Sequence, residues 1–197
     1  SPGEMNGEDD YSKSAVMLLL VEGGSGYEIL FEKRSVFIRQ PGEISFPGGK
    51  FNPLTDNTYL DTAFRETEEE TGLSRAMFSN AFSLPAVVAP MGAMVYPFVA
   101  FAGAIDFDCL VLDSREVEEA FTLPLDFFIK NQPEEYSVSL SVNPFSRDGD
   151  GRLVQTFPAA DLGLPEKYHS SWGSVRHRIY LYKTCRGPVW GITGRII

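Results

Sequence analysis

Apolar residues fall in short runs along this chain, and polar or glycine-rich punctuation separates the runs. The run "AVMLLLV" at 15–21 is far short of the roughly 20 apolar residues a membrane span needs, and it reads as a buried strand. "SAVMLLLVEGGSGYEILFEKRS" predicts two strands joined at "GGSG", the residue types a tight hairpin requires. "GEISFPGGKFNPLTDN" predicts a short strand and then a loop rich in Pro, Gly, Asn and Asp. Beyond it the pattern takes on a helical period. Thr58 or Asp56 can cap that helix, Ala63, Phe64 and Thr67 can face a core, and Gly72 sits where a helix C-terminus favours a left-handed residue. "AFSLPAVVAP" and "MVYPFVAFAGAI" predict two strands broken by "PMGA". "SREVEEAFTLPLDFF" opens as a strand or short helix, and Pro124 opens a helix over "LPLDFFIKN". Residues 140–172 read as long loops around at most one short strand, with "RHRIYLY" and "GPVWGI" as closing strands. Strands interleaved with helices predict an α/β layered domain with a mixed sheet.

Composition narrows the picture. A chain of 197 residues suits one well-buried domain, expected over 14–197 behind a flexible N-terminal segment at 1–13. A net charge of −10 argues against a grip on nucleic acid backbones or anionic membranes, so any anionic substrate needs local positive charge. Cys109 and Cys185 make no disulfide framework and suggest a reducing interior. The opening "SPGEMNGEDDYSK" has no apolar core and is not a secretory signal, and an initiator at Met5 would make residues 1–4 a foreign leader. The terminal "RII" is no peroxisomal signal, and the expected location is cytoplasmic.

The chemistry concentrates in "RETEEETGL" at 65–73, which holds four glutamates within five positions. Residues three and four apart share a helix face, so Glu66, Glu69 and Glu70 line one stripe while Glu68 points away into solvent. Three carboxylates on one face raise one another's pKa values and resist joint ionisation. Either the helix is a solvated, glutamate-rich surface, or a hard divalent cation such as Mg²⁺ or Mn²⁺ turns the repulsion into coordination. The flanks favour the cation. "FPGGK" at 46–50 ends a strand in a glycine loop able to aim backbone N–H groups at an oxyanion, and Arg65 abuts the stripe. His169 and His177 are too few for a histidine metal cluster, and no Ser/His/Asp triad follows from spacing.

"GGK…RETEEETGL" resembles the Nudix box, Gly-x5-Glu-x7-Arg-Glu-U-x-Glu-Glu-x-Gly-U with U a bulky aliphatic residue. It matches at Arg65, Glu66, Glu69, Glu70, Gly72 and Leu73. Thr67 stands at the first U, the Gly49–Arg65 spacing is two residues longer than the pattern, and the early glutamate falls on Asn57. The longer "FPGGKFNPLTD" loop is similar to the branch of coenzyme A diphosphatases. So is "LFEKRSVFIRQPGEISFPGG", which follows that branch's upstream signature at Leu30, Arg34, Ser35, Arg39, Gly42 and "FPGG". It is one residue short between Arg39 and Gly42 and carries Glu32 in place of a threonine. "EVEEAFTLPLDFF" and "VWGITGRII" resemble later elements of the same branch.

The resemblance implies an α/β/α sandwich and metal-dependent hydrolysis of the pyrophosphate of coenzyme A or acyl-CoA, giving 3′,5′-ADP and 4′-phosphopantetheine or its acyl form. It implies Mg²⁺ or Mn²⁺ on Glu66, Glu69, Glu70 and, from outside the helix, Glu116. Glu66 or Glu69 would be the general base, with Arg65 holding the array. Arg34 and Arg39, with Gly48 and Gly49, would recognise substrate phosphates, since guanidinium pairs well with phosphate. The alternatives are another nucleoside diphosphate-X substrate such as ADP-ribose or NADH, and a non-catalytic nucleotide-binding domain. The expected partner is a small nucleotide, not nucleic acid or membrane, and a homodimer is one open oligomeric state.

Overall fold

A computed structural model describes residues 7–90 and 92–197. The expectation of an initiator at Met5, and the first six residues of the expected N-terminal segment, lie outside the described residues. The chain divides into two compact units, one running up to Glu134 and resuming over Tyr180–Ile197, the other Glu135–Ile179.

The first unit is built on β1 (Ser12–Gly23) and β2 (Gly26–Arg34), antiparallel neighbours whose register closes at Gly23↔Gly26, as the "GGSG" turn predicts. β3 (Ile44–Ser45) pairs with β2, and β4 (Gly48–Lys50) pairs with β1. After α1 (Tyr59–Thr71) come β5 (Phe78–Ser83), β6 (Val87–Ala89) and β7 (Ala93–Ala102). β5 and β6 form separate strands where one was expected, with Pro85 between them. β7 runs parallel to β1, while β5 and β6 pair with it antiparallel, so the sheet is mixed. β8 (Val117–Pro124) completes it alongside β2, and α2 (Leu125–Lys130) follows from Pro124.

Period-two alternation sends the two faces of β1 and β2 to different layers. Met17, Leu19, Val21 and Leu30 meet Ala63 and Phe64 of α1. Leu18, Leu20, Ile29 and Phe31 meet Phe128 of α2, together with Tyr182 and Val189. Phe31 is fully buried and stacks at 5.2 Å on Phe46, and such a ring contributes about 2–3 kcal/mol by leaving water. The sheet is therefore sandwiched between helices, the expected α/β/α arrangement.

α1 begins at Thr58, not at Asp56. The Thr58 hydroxyl accepts the Asp61 N–H at 3.2 Å, and the Asp61 carboxylate accepts the Thr58 N–H at 3.0 Å. It ends at Gly72, whose φ of 76° lets its N–H reach the Glu68 carbonyl. Ala63, Phe64 and Thr67 face the core as expected, and the Thr67 hydroxyl donates to the Ala63 carbonyl at 2.6 Å. That bond makes threonine tolerable where the box pattern has an aliphatic residue.

Residues 140–172 hold more regular structure than expected. β9 (Glu134–Val142) runs into them, β10 (Phe145–Arg147) and β11 (Leu153–Gln155) form a hairpin, and β12 (Trp172–Thr184) starts before "RHRIYLY". These strands are mostly exposed on both faces, so they lack the alternation that marks a half-buried strand. Within this unit β9 and β12 are tied by Ser139–Ser174 at 2.7 Å and Arg176–Ser137 at 2.9 Å. In the first unit the end of β12 pairs with β13 (Gly187–Trp190), after which Gly191 opens α3 (Gly191–Ile196) where strand was expected to continue.

Candidate active site

The helix period and the strand alternation together bring carboxylates to one place. Glu70 lies one turn beyond Glu66 on the inward side of α1, and Leu30, Glu32 and Arg34 alternate on the α1-facing side of β2. Glu70 is buried and its Oε2 accepts the Gly48 N–H at 2.7 Å. Glu66 is half-buried and leans on Gly49, where an added Cβ would sit 2.3 Å from its carboxylate carbon. Gly49 is thus what lets β4 pass this close to α1. An added Cβ at Gly48 would strike the Ala15 carbonyl at 2.3 Å.

Glu32 is 3% exposed, and its Oε1 has no hydrogen-bond partner. Its carboxyl lies within hydrogen-bonding reach of Glu70. Burial pushes Glu32 and Glu70 well above the usual carboxylate range, and for Glu70 the Glu32 charge adds to the rise. Glu66 is also raised, first by burial, against the opposing pull of Arg65. Glu116 sits exposed at the turn before β8, where its carbonyl accepts the Ser35 N–H at 2.8 Å. Its charge disfavours ionisation of Glu32, Glu66 and Glu70.

Arg65 is the hinge of the array. Its Nε and Nη2 grip both oxygens of buried Asp56 at 2.8 and 2.9 Å, and its Nη1 reaches Glu66 at 2.9 Å and Glu69 at 3.0 Å. Asp56 also accepts from the Thr62 hydroxyl at 2.8 Å and the Asn52 N–H at 3.1 Å. The Arg65 hydrogen bonds hold its carboxyl far below the usual range. Asn57, where the box pattern has a glutamate, is exposed; the anchor is its neighbour Asp56.

Of the residues expected at the site, Glu66, Glu70, Arg65, Gly48 and Gly49 come together, with Glu116 close enough to act through its charge. Glu69 is 58% exposed and stands to the side, paired with Arg65. The Gly48 N–H, expected to face an oxyanion, is occupied by Glu70. Arg34 joins the cluster, since its charge favours the ionised form of Glu32, and its Nε donates to the Arg39 carbonyl at 3.0 Å. The Arg39 side chain is exposed on the loop between β2 and β3. Glu32 and Asp56 were not among the expected site residues. The alternation Leu30–Glu32–Arg34 was the available signal for Glu32.

The donors suit a hard divalent cation. They are all oxygens, they repel one another when ionised, and one buried oxygen lacks any partner. Among the described residues no three His, Cys, Asp or Glu side chains have closed around one point. Glu70 is held by Gly48 and Glu66 by Arg65.

A family model described as "NUDIX domain" matches residues 11–139, and the chain belongs to that family. It is 39% identical over 99 residues to human mitochondrial coenzyme A diphosphatase NUDT8, covering 50% of this chain and 42% of that protein. It is 36% identical over 121 residues to mouse peroxisomal coenzyme A diphosphatase NUDT7, covering 60% of this chain and 49% of that one. The matched part thus spans less than half of either relative's length. Among solved structures, the NUDIX domain of Shewanella oneidensis NrtR complexed with ADP ribose aligns at TM-score 0.50 and 16% identity. That alignment covers 61% of this chain and 77% of the other, and it supports the fold alone. No helix among the described residues is long and apolar enough to cross a membrane.

Proposed function

We propose that the chain hydrolyses the pyrophosphate bond of coenzyme A or acyl-CoA in the presence of Mg²⁺ or Mn²⁺, releasing 3′,5′-ADP and 4′-phosphopantetheine or its acyl form. The observation that carries this reading is the meeting of Glu66 and Glu70 with strand-borne Glu32, beside Glu116, Arg34 and Arg65, on one face of the sheet. The names of the two relatives and the upstream signature support coenzyme A as the substrate. Cytoplasmic residence gains no support from those names, which say mitochondrial and peroxisomal.

Glu66, Glu70 and Glu116 would hold the cation, and Glu69 would join them from the flank. The bound ion would neutralise charge on the bridging phosphates and lower the pKa of water. Water attacks one phosphorus, a new P–O bond forms as the bridging P–O bond breaks, and the water proton passes to a carboxylate. Glu69 suits that last role, because Glu66 is hemmed between Arg65 and Gly49 while Glu69 opens to solvent. Arg65 positions Glu66 and Glu69 from its anchor on Asp56. Arg34 faces the substrate phosphates, joined by Arg39 when the exposed loop engages the 3′-phosphate.

Incubation of the full chain with coenzyme A and Mg²⁺ or Mn²⁺, followed by mass spectrometry, should reveal the two products above. ADP-ribose and NADH run in parallel, and much faster turnover of either would overturn the substrate assignment. Gly49→Ala supplies a second check. The new methyl meets the end of a flexible side chain, so stability should stay within about 1 kcal/mol of wild type. Turnover should nevertheless fall by about 100-fold as the Glu66 carboxylate is displaced. Thermal melting and product formation read the two effects separately.

A further inference from the structure

Glu32 lies within β2 between Leu30 and Arg34, at a place where the sheet is roofed by α1. A glutamate is a costly occupant there: leaving one oxygen of a buried polar group unpaired costs about 1–3 kcal/mol. Its Oε1 is nevertheless unpaired, and so is the buried hydroxyl oxygen of Ser45. The two residues are direct cross-strand partners in the β2–β3 pairing, which puts their side chains on the same face. Ser45 flanks Ile44 and Phe46, which pack into the opposite layer, so its hydroxyl points toward α1 as Glu32 does. Two unsatisfied buried oxygens thus stand on one face, beside the carboxyl of Glu70. Arg34 supplies favourable charge, yet its Nε is committed to the Arg39 carbonyl.

We propose that Glu32 is a further ligand for a divalent cation at this site, sharing the ion with Glu70 through its free oxygen. The inference rests on the cation reading above and adds a residue from the sheet to the helix-borne ligands. It accounts for a carboxylate in the core of a strand, where an apolar residue would pack without penalty. Ser45 faces the same space and offers a hydroxyl to the ion's hydration shell.

Mn²⁺ binding to the full chain, measured by calorimetry without substrate, tests this on wild type, Glu32→Gln, Glu32→Thr and Glu70→Gln. Thermal melting with and without Mn²⁺ accompanies it. Groups that only hydrogen-bond to a metal ligand change metal affinity by about 10–100-fold, so loss of this ligand should weaken Mn²⁺ binding by at least about tenfold in both Glu32 variants. The metal-free melting temperature should stay near the wild-type value in Glu32→Gln, which keeps the shape of the side chain, while the gain on adding Mn²⁺ shrinks. Wild-type affinity in both Glu32 variants, with binding lost in Glu70→Gln, would overturn this inference and leave the cation reading intact. No Mn²⁺ uptake by wild type would overturn both. Glu32→Thr suits a strand and keeps the test available should Glu32→Gln fold poorly.

Discussion

Glutamine in place of Glu70 should lower coenzyme A turnover by about 10³-fold, because a metal ligand controls several kcal/mol of transition-state charge stabilisation and each 1.36 kcal/mol is about tenfold in rate. The fold should survive the change. The amide oxygen of glutamine can still accept the Gly48 N–H that Glu70 accepts at 2.7 Å, which keeps β4 seated on α1. Its amide N–H₂ gains an acceptor in the neighbouring Glu32 carboxyl, so the new group is not left unpaired in a buried place. Burial already favours the protonated carboxyl at this position, so the amide replaces a neutral group of the same shape, and the metal-free variant should melt near the wild-type temperature. Steady-state product formation and a thermal melt on the same preparation check both halves. Near-normal turnover would remove Glu70 from the ligand set, whereas collapse of the fold would mean that the amide does not reproduce the hydrogen bond to Gly48.

How far the site could be read from sequence depended on whether a residue's neighbours are local. Glu66 and Glu70 follow from a 3.6-residue period, and Gly72 follows from the demand for a left-handed residue at a helix end. The paired glycines after Pro47 were legible as a loop that admits close approach. What they approach is the Glu66 carboxylate and the backbone of β1, and only the packing of α1 on the sheet shows that. Asp56 was visible as a cap candidate. It is drawn away from that role because Arg65, nine residues on and across a loop, meets both its oxygens, which leaves capping to Thr58. Glu32 was visible as a departure from a signature and through its alternation with Leu30 and Arg34. Its burial depends on α1 covering β2, a contact between segments far apart in the chain. The β10–β11 hairpin was not legible for the opposite reason: apart from half-buried Phe145 its strands are exposed, and a strand exposed on both faces carries no alternation.

Asp56→Ala should destabilise the fold by about 3 kcal/mol at neutral pH, the low end for breaking a buried ion pair, since Arg65 retains some solvent access. Two guanidinium contacts are lost together with the Thr62 hydroxyl and Asn52 N–H bonds that converge on the same carboxylate. The Thr55 hydroxyl loses a partner as well, at 3.1 Å. The size of the effect should depend on pH with a definite sign. The groups facing Asp56 are Arg65, Thr55, Thr62 and the Asn52 N–H, and all stabilise its ionised form, Arg65 most. Its pKa therefore lies below the ordinary value of 3.8, and its contribution is fully present above that pH. As pH falls below 3.8 toward the depressed folded-state value, protonation erodes the wild-type advantage, and the two proteins should converge. Urea unfolding of wild type and variant at pH 7 and again near pH 3 gives the two differences directly, and a gap that stays constant would show that the carboxylate's charge is not what stabilises. Turnover should fall in the same variant, because Arg65, freed from Asp56, is left to Glu66 and Glu69 alone and no longer holds them at a set distance from β4. Asp56→Asn separates the two roles: it keeps acceptors for Thr62 and Asn52 while discarding the charge that fixes Arg65, so it should recover part of the stability and little of the activity.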